Sequence, residues 1–311
     1  MDKERFFIQS LIKQGVTKKL GDDGVVLAFD TWNATQYPNI SNINTNTPNA
    51  KYLKAHKQLV IASDGFCEGI HFRREWLSLK DIAKKAMLVN LSDIIAMNAI
   101  PKYALLSITL PNLLAFEILE IVQGLAYIAK KYNVVFIGGD TTSGQNLAFH
   151  LSIIGALESK PLLRTGLQNK DLLYHTGKVG QSLYALKWLL RGGKISRSKR
   201  FLRFIEPTLR EKFIYKVASF AHCGIDISDG MYSELNHLST LNHLGIKLHK
   251  KSRLSQLSRH FLSGEEYELL FAIAPKHKHK LMRIAKSMRL HIQPIGYASK
   301  RGKKYKTLLW H

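Results

Sequence analysis

Cysteine is nearly absent from this 311-residue chain, which contains only Cys67 and Cys223. Two thiols are too few for a disulfide framework or a structural zinc site. The sequence also has no apolar run of about eighteen residues or more, and its segment 1–7 lacks the apolar core of a signal peptide. These absences exclude disulfide-rich secreted proteins and membrane-spanning proteins, and they favour a globular protein of the reducing cytoplasm.

Acidic residues are also scarce, with 23 Asp and Glu against 46 Lys and Arg, and the formal net charge is +23. Such an excess is typical of nucleic-acid-binding proteins, but a lysine-rich solvated surface gives the same balance. The two densest basic runs, 191–203 and 300–306, do not alternate with aromatic residues as a stacking surface for bases does. We therefore favour the solvated surface and expect no nucleic acid among the partners.

The few aspartates are unevenly placed along the chain. Seven of the eleven lie in short segments that contain glycine or serine, namely Asp22, Asp23, Asp64, Asp93, Asp140, Asp226 and Asp229. Each alone has an ordinary explanation, because aspartate often forms turns and caps helices. Together they include two close pairs, at 22–23 and 226–229, whose like charges repel each other without a cation. Magnesium prefers such hard oxygen ligands and shares them with phosphates, so the pattern predicts a magnesium–phosphate site.

Predicted strands and helices alternate in two halves of the sequence. The pattern breaks around 158–169, where Pro161 and Gly166 lie, so we divide the chain into domains 1–158 and 159–311. The predicted fold class is therefore α/β or α+β with two domains. The predicted strands are 25–29, 59–62, 103–110, 134–137, 149–157, 172–175 and 268–273; the predicted helices are 80–98, 115–131, 182–190 and 207–220; and the asparagine-rich segment 31–57 is predicted to be a loop.

Familiar nucleotide-binding signatures are absent: the sequence has no Walker loop, no dinucleotide glycine fingerprint and no protein-kinase catalytic loop. The glycine-rich segment 138–144 is interpreted as a loop whose backbone amides can approach a phosphate. The segment 224–230 leads into a further predicted helix, with Ser228 or Asp229 as its N-cap. Neither segment identifies a ligand by itself.

Six segments nevertheless occur in a specific order: 21–23, 63–72, 90–97, 138–144, 225–230 and 264–269. Their residues and their order, across residues 20–272, resemble those of the thiamine-monophosphate kinase family. That family shares its two-domain fold with aminoimidazole ribonucleotide synthetase and selenophosphate synthetase. The resemblance implies an N-terminal α/β domain whose strands pair across a homodimer, and a C-terminal α/β domain. It also implies that ATP phosphorylates thiamine monophosphate to thiamine diphosphate.

The resemblance further implies a set of binding residues, position by position. The implied magnesium ligands are Asp23, Ser63, Asp64, Asp93, Asp140, Asp226 and Asp229, with Ala62 at a position that contributes through its backbone. The implied ATP contacts are Gly139, Asp140, Arg164 and Ser228. The implied contacts with thiamine monophosphate are His71, Glu265 and, in the C-terminal tail, Trp310. Two residues depart from the family pattern, since Glu266 replaces the usual Asp and Ser143 stands where an Arg is common.

The implied acceptor is itself a phosphate, which is largely ionised near neutral pH. It needs no general base, so we predict no catalytic acid or base and no phosphoenzyme, but several magnesium ions that align both phosphates for in-line transfer. Two alternatives stay open: another ATP-using enzyme of the same fold, and a basic nucleic-acid-binding protein without catalysis. Without the motifs, His71, Arg164 and Trp310 have ordinary structural explanations.

Overall fold

A computed structural model describes residues 25–28, 58–250, 259–302 and 304–307. The predicted turn at 21–24, the asparagine-rich segment 31–57, and the candidate ligands Asp23 and Trp310 lie outside these residues. The described residues form two five-stranded sheets, one from each half of the sequence. The predicted fold class, a mixture of strands and helices in two layered halves, is confirmed. The exact division at residues 158 and 159, which falls between the two sheets, stays a prediction.

The first sheet and its two covering helices come from residues 25–157. In chain order the elements are β1 (Val25–Ala28), β2 (Gln58–Cys67), α1 (Leu79–Ala96), β3 (Ala99–Leu110), α2 (Ala115–Tyr132), β4 (Val135–Ser143) and β5 (Ala148–Leu157). The strands lie in the order β1-β2-β5-β3-β4, with β3 and β4 parallel and the other neighbours antiparallel. Helix α2 is the crossover that a parallel pair of strands requires.

Helix α1 is buried on nearly every side. It begins after Ser78, whose Oγ accepts a hydrogen bond from the N–H of Asp81 at 3.1 Å. Helix α2 packs closely against it at Gly124, where a Cβ would lie only 2.3 Å from the carbonyl oxygen of Lys80. The first sheet and the second half of the chain also contact α1. Most polar side chains of α1 therefore meet protein atoms rather than solvent, whereas Asp93 is partly exposed.

The second sheet comes from residues 172–299. In chain order the elements are β6 (Leu172–Thr176), α3 (Gln181–Leu189), α4 (Leu202–Ile205), α5 (Glu211–Val217), β7 (Ala221–Asp226), α6 (Met231–Asn242), β8 (Gly245–Leu248), β9 (Leu269–Ile273), a 3-10 turn (Pro275–His277), α7 (Lys278–Ser287) and β10 (Ile292–Ser299). The strands lie in the order β7-β9-β6-β10-β8, and all neighbours are antiparallel. Every residue of β9 is buried, so both faces of this strand are covered: Leu269, Phe271 and Ile273 belong to a core shared with the first half, and Leu270 and Ala272 belong to a second core.

The structure differs from the sequence prediction at two acidic segments that contain glycine. The strand predicted over 59–62 continues to Cys67, and the strand predicted over 134–137 continues through the glycine-rich segment to Ser143. The glycine-rich segment is therefore a strand rather than a loop. Pairing with neighbouring strands, which places Asp64 opposite Leu151, overrides the local preference for a turn.

Two helix predictions are also corrected. Helix α5 begins at Glu211 rather than at residue 207, and it ends at Val217. The N-cap of α6 is Gly230, which has no side chain for capping, and the N–H of Asp229 donates instead to Oε1 of Glu234 at 2.9 Å. In the part of the chain that the structure describes, every helix is too short or too polar to span a bilayer.

Candidate active site

Four carboxylates gather where the two halves meet, and we call them the carboxylate cluster: Asp64, Asp93, Asp226 and Glu265. Asp64 lies on β2 and Asp93 on α1, whereas Asp226 is the last residue of β7 and Glu265 precedes β9. Burial raises the pKa of the Tyr267 hydroxyl well above its ordinary value, and the negative charges of all four carboxylates raise it further. The phenol therefore stays protonated, and the four carboxylates lie within electrostatic range of one group.

Asp226 is the most enclosed member of the cluster, with only 3% of its surface exposed. The hydroxyl of Ser92, on α1, donates to its Oδ2 at 2.5 Å. A carboxylate removed from water needs such a donor, and hydrogen bonds to a charged acceptor are among the stronger ones in proteins. This bond joins the two halves of the chain and fixes the orientation of the Asp226 side chain.

The segment that carries Glu265 and Tyr267 has an unusual backbone. Their φ angles are 52° and 50°, in the left-handed region that residues other than glycine seldom adopt. The N–H of Glu265 donates to the carbonyl of Ser228 at 2.6 Å, and the N–H of Tyr267 donates to the carbonyl of Ile227 at 2.9 Å. Such strain, about 1–3 kcal/mol per residue, persists only where surrounding contacts hold it. The direction of both side chains is therefore fixed by the fold.

Two of the residues predicted to contact the substrate, His71 and Glu265, lie within the described ranges. Phe66 and Lys85 connect them, because Phe66 lies beside His71 and Lys85 bonds to Glu265. The ammonium group of Lys85 donates to Oε2 of Glu265 at 2.8 Å and lies 5.8 Å from the centroid of the Phe66 ring. The His71 ring lies 5.4 Å from the same ring, and its Nδ1 accepts a hydrogen bond from the N–H of Cys67 at 3.0 Å. The structure thus brings these two predicted contacts into one neighbourhood.

Arg164 and Asp229, predicted to bind ATP and metal, lie in a second group beside His237. The pKa of His237 is raised mainly by its hydrogen bond with Glu234, at 3.2 Å. Asp229 raises this pKa further, whereas burial and Arg164 lower it. Arg164 and Asp229 therefore lie close enough to act on one imidazole. Ser228 directly precedes Asp229, and the carbonyl of Ser228 accepts a hydrogen bond from the N–H of Glu265. The second group therefore lies next to the carboxylate cluster.

Ser63, Gly139 and Asp140 lie on the first sheet, and among the described residues they form no hydrogen bond with side chains of the carboxylate cluster. Side chains alternate along β2, so Ser63 lies on the face opposite to that of Asp64 and the buried Phe66. Asp140 is exposed, and its Oδ1 accepts from the N–H of the next residue at 2.8 Å. Gly139 has a φ of 150°, and a Cβ there would lie 1.8 Å from the carbonyl oxygen of Leu106.

The donors of the cluster suit a magnesium ion that shares its coordination shell with phosphates. Within the described ranges, no group of three or more His, Cys, Asp or Glu side chains is placed to hold a metal ion by itself. Magnesium does not require such a cage, because it usually keeps several waters and takes one or two carboxylates plus substrate phosphates. Asp64, Asp93 and Asp226 supply hard oxygens, and a cation would relieve their mutual repulsion. The donor set therefore fits magnesium bound together with a phosphorylated ligand.

Known proteins resemble this chain in sequence and in fold. The family model "AIR synthase related protein, N-terminal domain" matches residues 46–157. A thiamine-monophosphate kinase of Haemophilus influenzae is 35% identical to the chain over 255 residues, which cover 77% of each sequence. The chain belongs to the thiamine-monophosphate kinase family. The family predicted from the six ordered segments is thereby confirmed.

Solved structures of thiamine-monophosphate kinases have the same fold. The crystal structure of the enzyme from Stenotrophomonas maltophilia K279a matches with a TM-score of 0.71 and 28% identity, covering 80% of this chain and 85% of that chain. The structure of AaThiL complexed with AMPPCP and TMP matches with a TM-score of 0.76, covering 98% of this chain and 96% of that chain. At 23% identity, this second likeness shows the fold alone.

Three residues that surround the carboxylates were not predicted from the resemblance to thiamine-monophosphate kinases: Ser92, Tyr267 and Lys85. Ser92 and Tyr267 lie inside two of the six ordered segments, but neither carries a charge that marks it as a partner of the carboxylates. Lys85 does carry a charge in the middle of a helix that is buried on nearly every side, but so does its neighbour Lys84. The partner of Lys85 could not be found from the sequence, since Glu265 is 180 residues away.

Two further glutamates of the segment 264–269, Glu266 and Glu268, are completely buried. Burial raises the pKa of Glu266 to about 7, although Ser263 and two backbone N–H groups at the start of α3 donate to its Oε1. Burial alone would also raise the pKa of Glu268, but hydrogen bonds and charge from Arg210 and Arg203 lower it. These two glutamates anchor neighbouring helices to the second sheet.

Proposed function

We propose that this chain transfers the γ-phosphate of ATP to the phosphate of thiamine monophosphate, which yields thiamine diphosphate and ADP as a step of thiamine diphosphate biosynthesis. As a member of its family, the chain is a thiamine-phosphate kinase. The observation that carries the specific reaction is the carboxylate cluster, in which both halves contribute acidic groups around one phenol. The chain has a net charge of +23, yet this site is acidic. Such a site can bind magnesium ions together with the phosphates of the substrates.

In this proposal, Asp64, Asp93 and Asp226 hold magnesium ions, together with Asp23 from outside the described residues. Bound magnesium supplies positive charge that offsets the charge of the two reacting phosphates. Ser92 keeps Asp226 oriented through the hydrogen bond to its Oδ2. Because the acceptor phosphate is already ionised, none of the carboxylates acts as a base, and transfer is direct and in line without a phosphoenzyme.

The remaining predicted residues have roles in binding the two substrates. Arg164, Ser228 and Gly139 are proposed to contact ATP, and a guanidinium suits phosphate oxygens because it donates to two of them at once. His71, Glu265 and Trp310 are proposed to contact thiamine monophosphate. Three more magnesium ligands complete the proposed set: Ser63, Asp140 and Asp229. Asp140 is proposed to contact ATP as well.

We also infer that the chain forms a homodimer through the exposed face of the first sheet. That face leaves three large apolar side chains in solvent, Leu105 on β3 and Val135 and Ile137 on β4, and Ile137 is 52% exposed. Contiguous apolar surface of this kind is typical of protein–protein interfaces. A second copy that covered this face would also enclose Ser63 and Asp140, two predicted ligands that lie apart from the carboxylate cluster.

Replacing Ile137 by Glu is expected to convert the dimer into a monomer, because it buries an unpaired charge in the proposed interface. Sedimentation equilibrium at several protein concentrations measures the change. Val122→Glu is the matched control, since Val122 is similarly exposed but lies on α2, on the other side of the sheet. A wild-type protein that sediments as a monomer at all concentrations would refute the dimer.

The reaction itself is tested with purified protein, magnesium, thiamine monophosphate and ATP labelled in its γ-phosphate. We expect label in thiamine diphosphate, no label bound covalently to the protein, and loss of turnover when magnesium is removed. ATP hydrolysis without thiamine diphosphate would favour another ATP-using enzyme of the same fold. No turnover together with tight, salt-sensitive RNA binding would favour a nucleic-acid-binding protein. The cytoplasm stays the predicted location of the reaction.

A further inference from the structure

Lys85 is a buried cation that the proposed reaction does not use. It lies in the middle of α1 and has no exposed surface. An ammonium group in such a place is strongly destabilising unless it is paired and hydrogen-bonded. Its Nζ donates to Oε2 of Glu265 at 2.8 Å and lies 4.0 Å from the ring centroid of Phe204 and 5.8 Å from that of Phe66. One carboxylate and two aromatic rings therefore compensate this charge.

The two carboxylate oxygens of Glu265 differ in their surroundings. Oε2 accepts the hydrogen bond from Lys85, whereas Oε1 is buried and has no hydrogen-bond partner among the described residues. The backbone cannot relax to relieve this, because the N–H and the carbonyl of Glu265 are bonded to Ser228 and Ser182. A buried polar atom without a partner is costly and rare in native proteins. Oε1 is therefore poised to accept a donor from outside the chain.

We propose that Lys85 is a positioning residue for thiamine monophosphate. It holds Glu265 by one oxygen, so that the other oxygen accepts a hydrogen bond from the substrate. Lys85 does not itself touch the substrate and acts through Glu265. The inference rests on the proposed function and deepens it, because it names the device that orients one predicted substrate contact. His71, the other described contact, packs against Phe66, the same ring that faces the Lys85 ammonium.

Lys85→Met removes the charge and keeps the length of the side chain. We expect it to raise KM for thiamine monophosphate about tenfold or more, because Glu265 is no longer held in place to accept the charge-assisted hydrogen bond from the substrate. KM for ATP and kcat are expected to stay within about twofold of the wild-type values. A purely structural role would lower thermal stability without separating the two KM values.

Lys84→Met is the matched control for this variant. Lys84 is the adjacent lysine, is also buried, and lies 3.4 Å from Asp81 and 3.7 Å from Glu206, two carboxylates outside the cluster. Its ammonium also faces an aromatic ring, that of Tyr127, at 4.7 Å. We expect Lys84→Met to lower the midpoint of thermal unfolding and to leave KM for thiamine monophosphate unchanged. An equal rise of this KM in both variants would overturn the inference.

A double-mutant cycle with Glu265→Gln tests whether Lys85 acts through Glu265. Once Glu265 is neutral, adding Lys85→Met is expected to leave KM for thiamine monophosphate unchanged, so the two effects are not additive. This comparison holds even if Lys85→Met alone fails to fold, because the double variant removes both charges of the buried pair. A further tenfold rise of KM in the double variant would show that Lys85 acts independently, and the inference would be wrong.

Turnover by the wild-type protein separates this inference from the proposed function. If the wild type forms thiamine diphosphate and Lys85→Met has the wild-type KM, Lys85 has no positioning role and the proposed function stands. If calorimetry detects no binding of thiamine monophosphate to the wild type, both the function and the role of Lys85 are wrong. Selective loss of this binding in Lys85→Met supports both.

Discussion

Replacing Asp226 by Asn is expected to lower kcat/KM for thiamine diphosphate formation by about 1000-fold, because several kcal/mol of charge stabilisation are lost. The amide has the shape of the carboxylate and keeps an oxygen that can accept from the Ser92 hydroxyl. The variant is therefore expected to fold, while the most enclosed negative charge of the carboxylate cluster is removed. Steady-state kinetics at several magnesium concentrations measure the effect, and added magnesium is expected to restore part of the activity.

Asp171→Asn is the matched control for this prediction. Asp171 is as buried as Asp226 and lies in the same half of the chain, but its partners are the N–H of Gln168 and the ring of His222, both at 2.8 Å. Losing this charge is expected to lower the midpoint of thermal unfolding and to leave kcat/KM within about twofold of wild type. The assignment of Asp226 is wrong if its variant keeps more than about a tenth of the activity.

Replacing Glu266 by Gln is expected to stabilise the protein at pH 8 by about 1–3 kcal/mol and to have little effect near pH 5. Burial raises the pKa of Glu266 from its ordinary value of about 4.5 to about 7. The folded state therefore binds this proton more tightly than the unfolded state does. The resulting stability is fully present below about pH 4.5 and is lost as the pH rises through about 7, at roughly 1.4 kcal/mol per pH unit. A neutral amide avoids this loss.

Glu268→Gln, two residues further along the chain, is expected to have the opposite effect on stability at pH 8. Arginine partners lower the pKa of Glu268, so its charge stabilises the folded state at pH 8. Removing that charge leaves Arg203 and Arg210 without their carboxylate partner and is expected to cost about 3–5 kcal/mol. Urea unfolding of both variants at pH 5 and pH 8 gives the comparison. The interpretation of Glu266 fails if its variant is less stable than wild type at pH 8.

The pattern of aspartates and the order of the six segments were enough to predict the family and the residues of the carboxylate cluster. Asp64, Asp93 and Asp226 come from separate elements, yet each belongs to a segment whose residue types point to the same chemistry. The structure adds that Asp64 and Asp93 of the first half come together with Asp226 and Glu265 of the second half around one phenol. A sequence pattern cannot show this, because it reports residue types along the chain and not which elements pack together.

Pairing over long distances explains why other features were not predictable. The segment 63–65 has the composition of a turn, but it pairs with β5 residue by residue and stays extended. Strand β10 contains Pro294 and Gly296, which argue against a strand, yet it lies between β6 and β8. The register of β10 against β6 shifts between these two residues, so the irregularity is absorbed at one point.

Helix α1 supplies Asp93 to the carboxylate cluster, and it bonds to the second half through Lys85 and Ser92. During synthesis the first half leaves the ribosome before the second, so a nascent chain presents Asp64 and Asp93 without Asp226 or Glu265. Each half therefore carries only part of the proposed site, and we expect binding only after the two halves have docked. Because one hydrophobic core extends through both halves, from Ile94 to Phe271, we expect turnover in mild denaturant to vanish together with the packing of α1 against the second half.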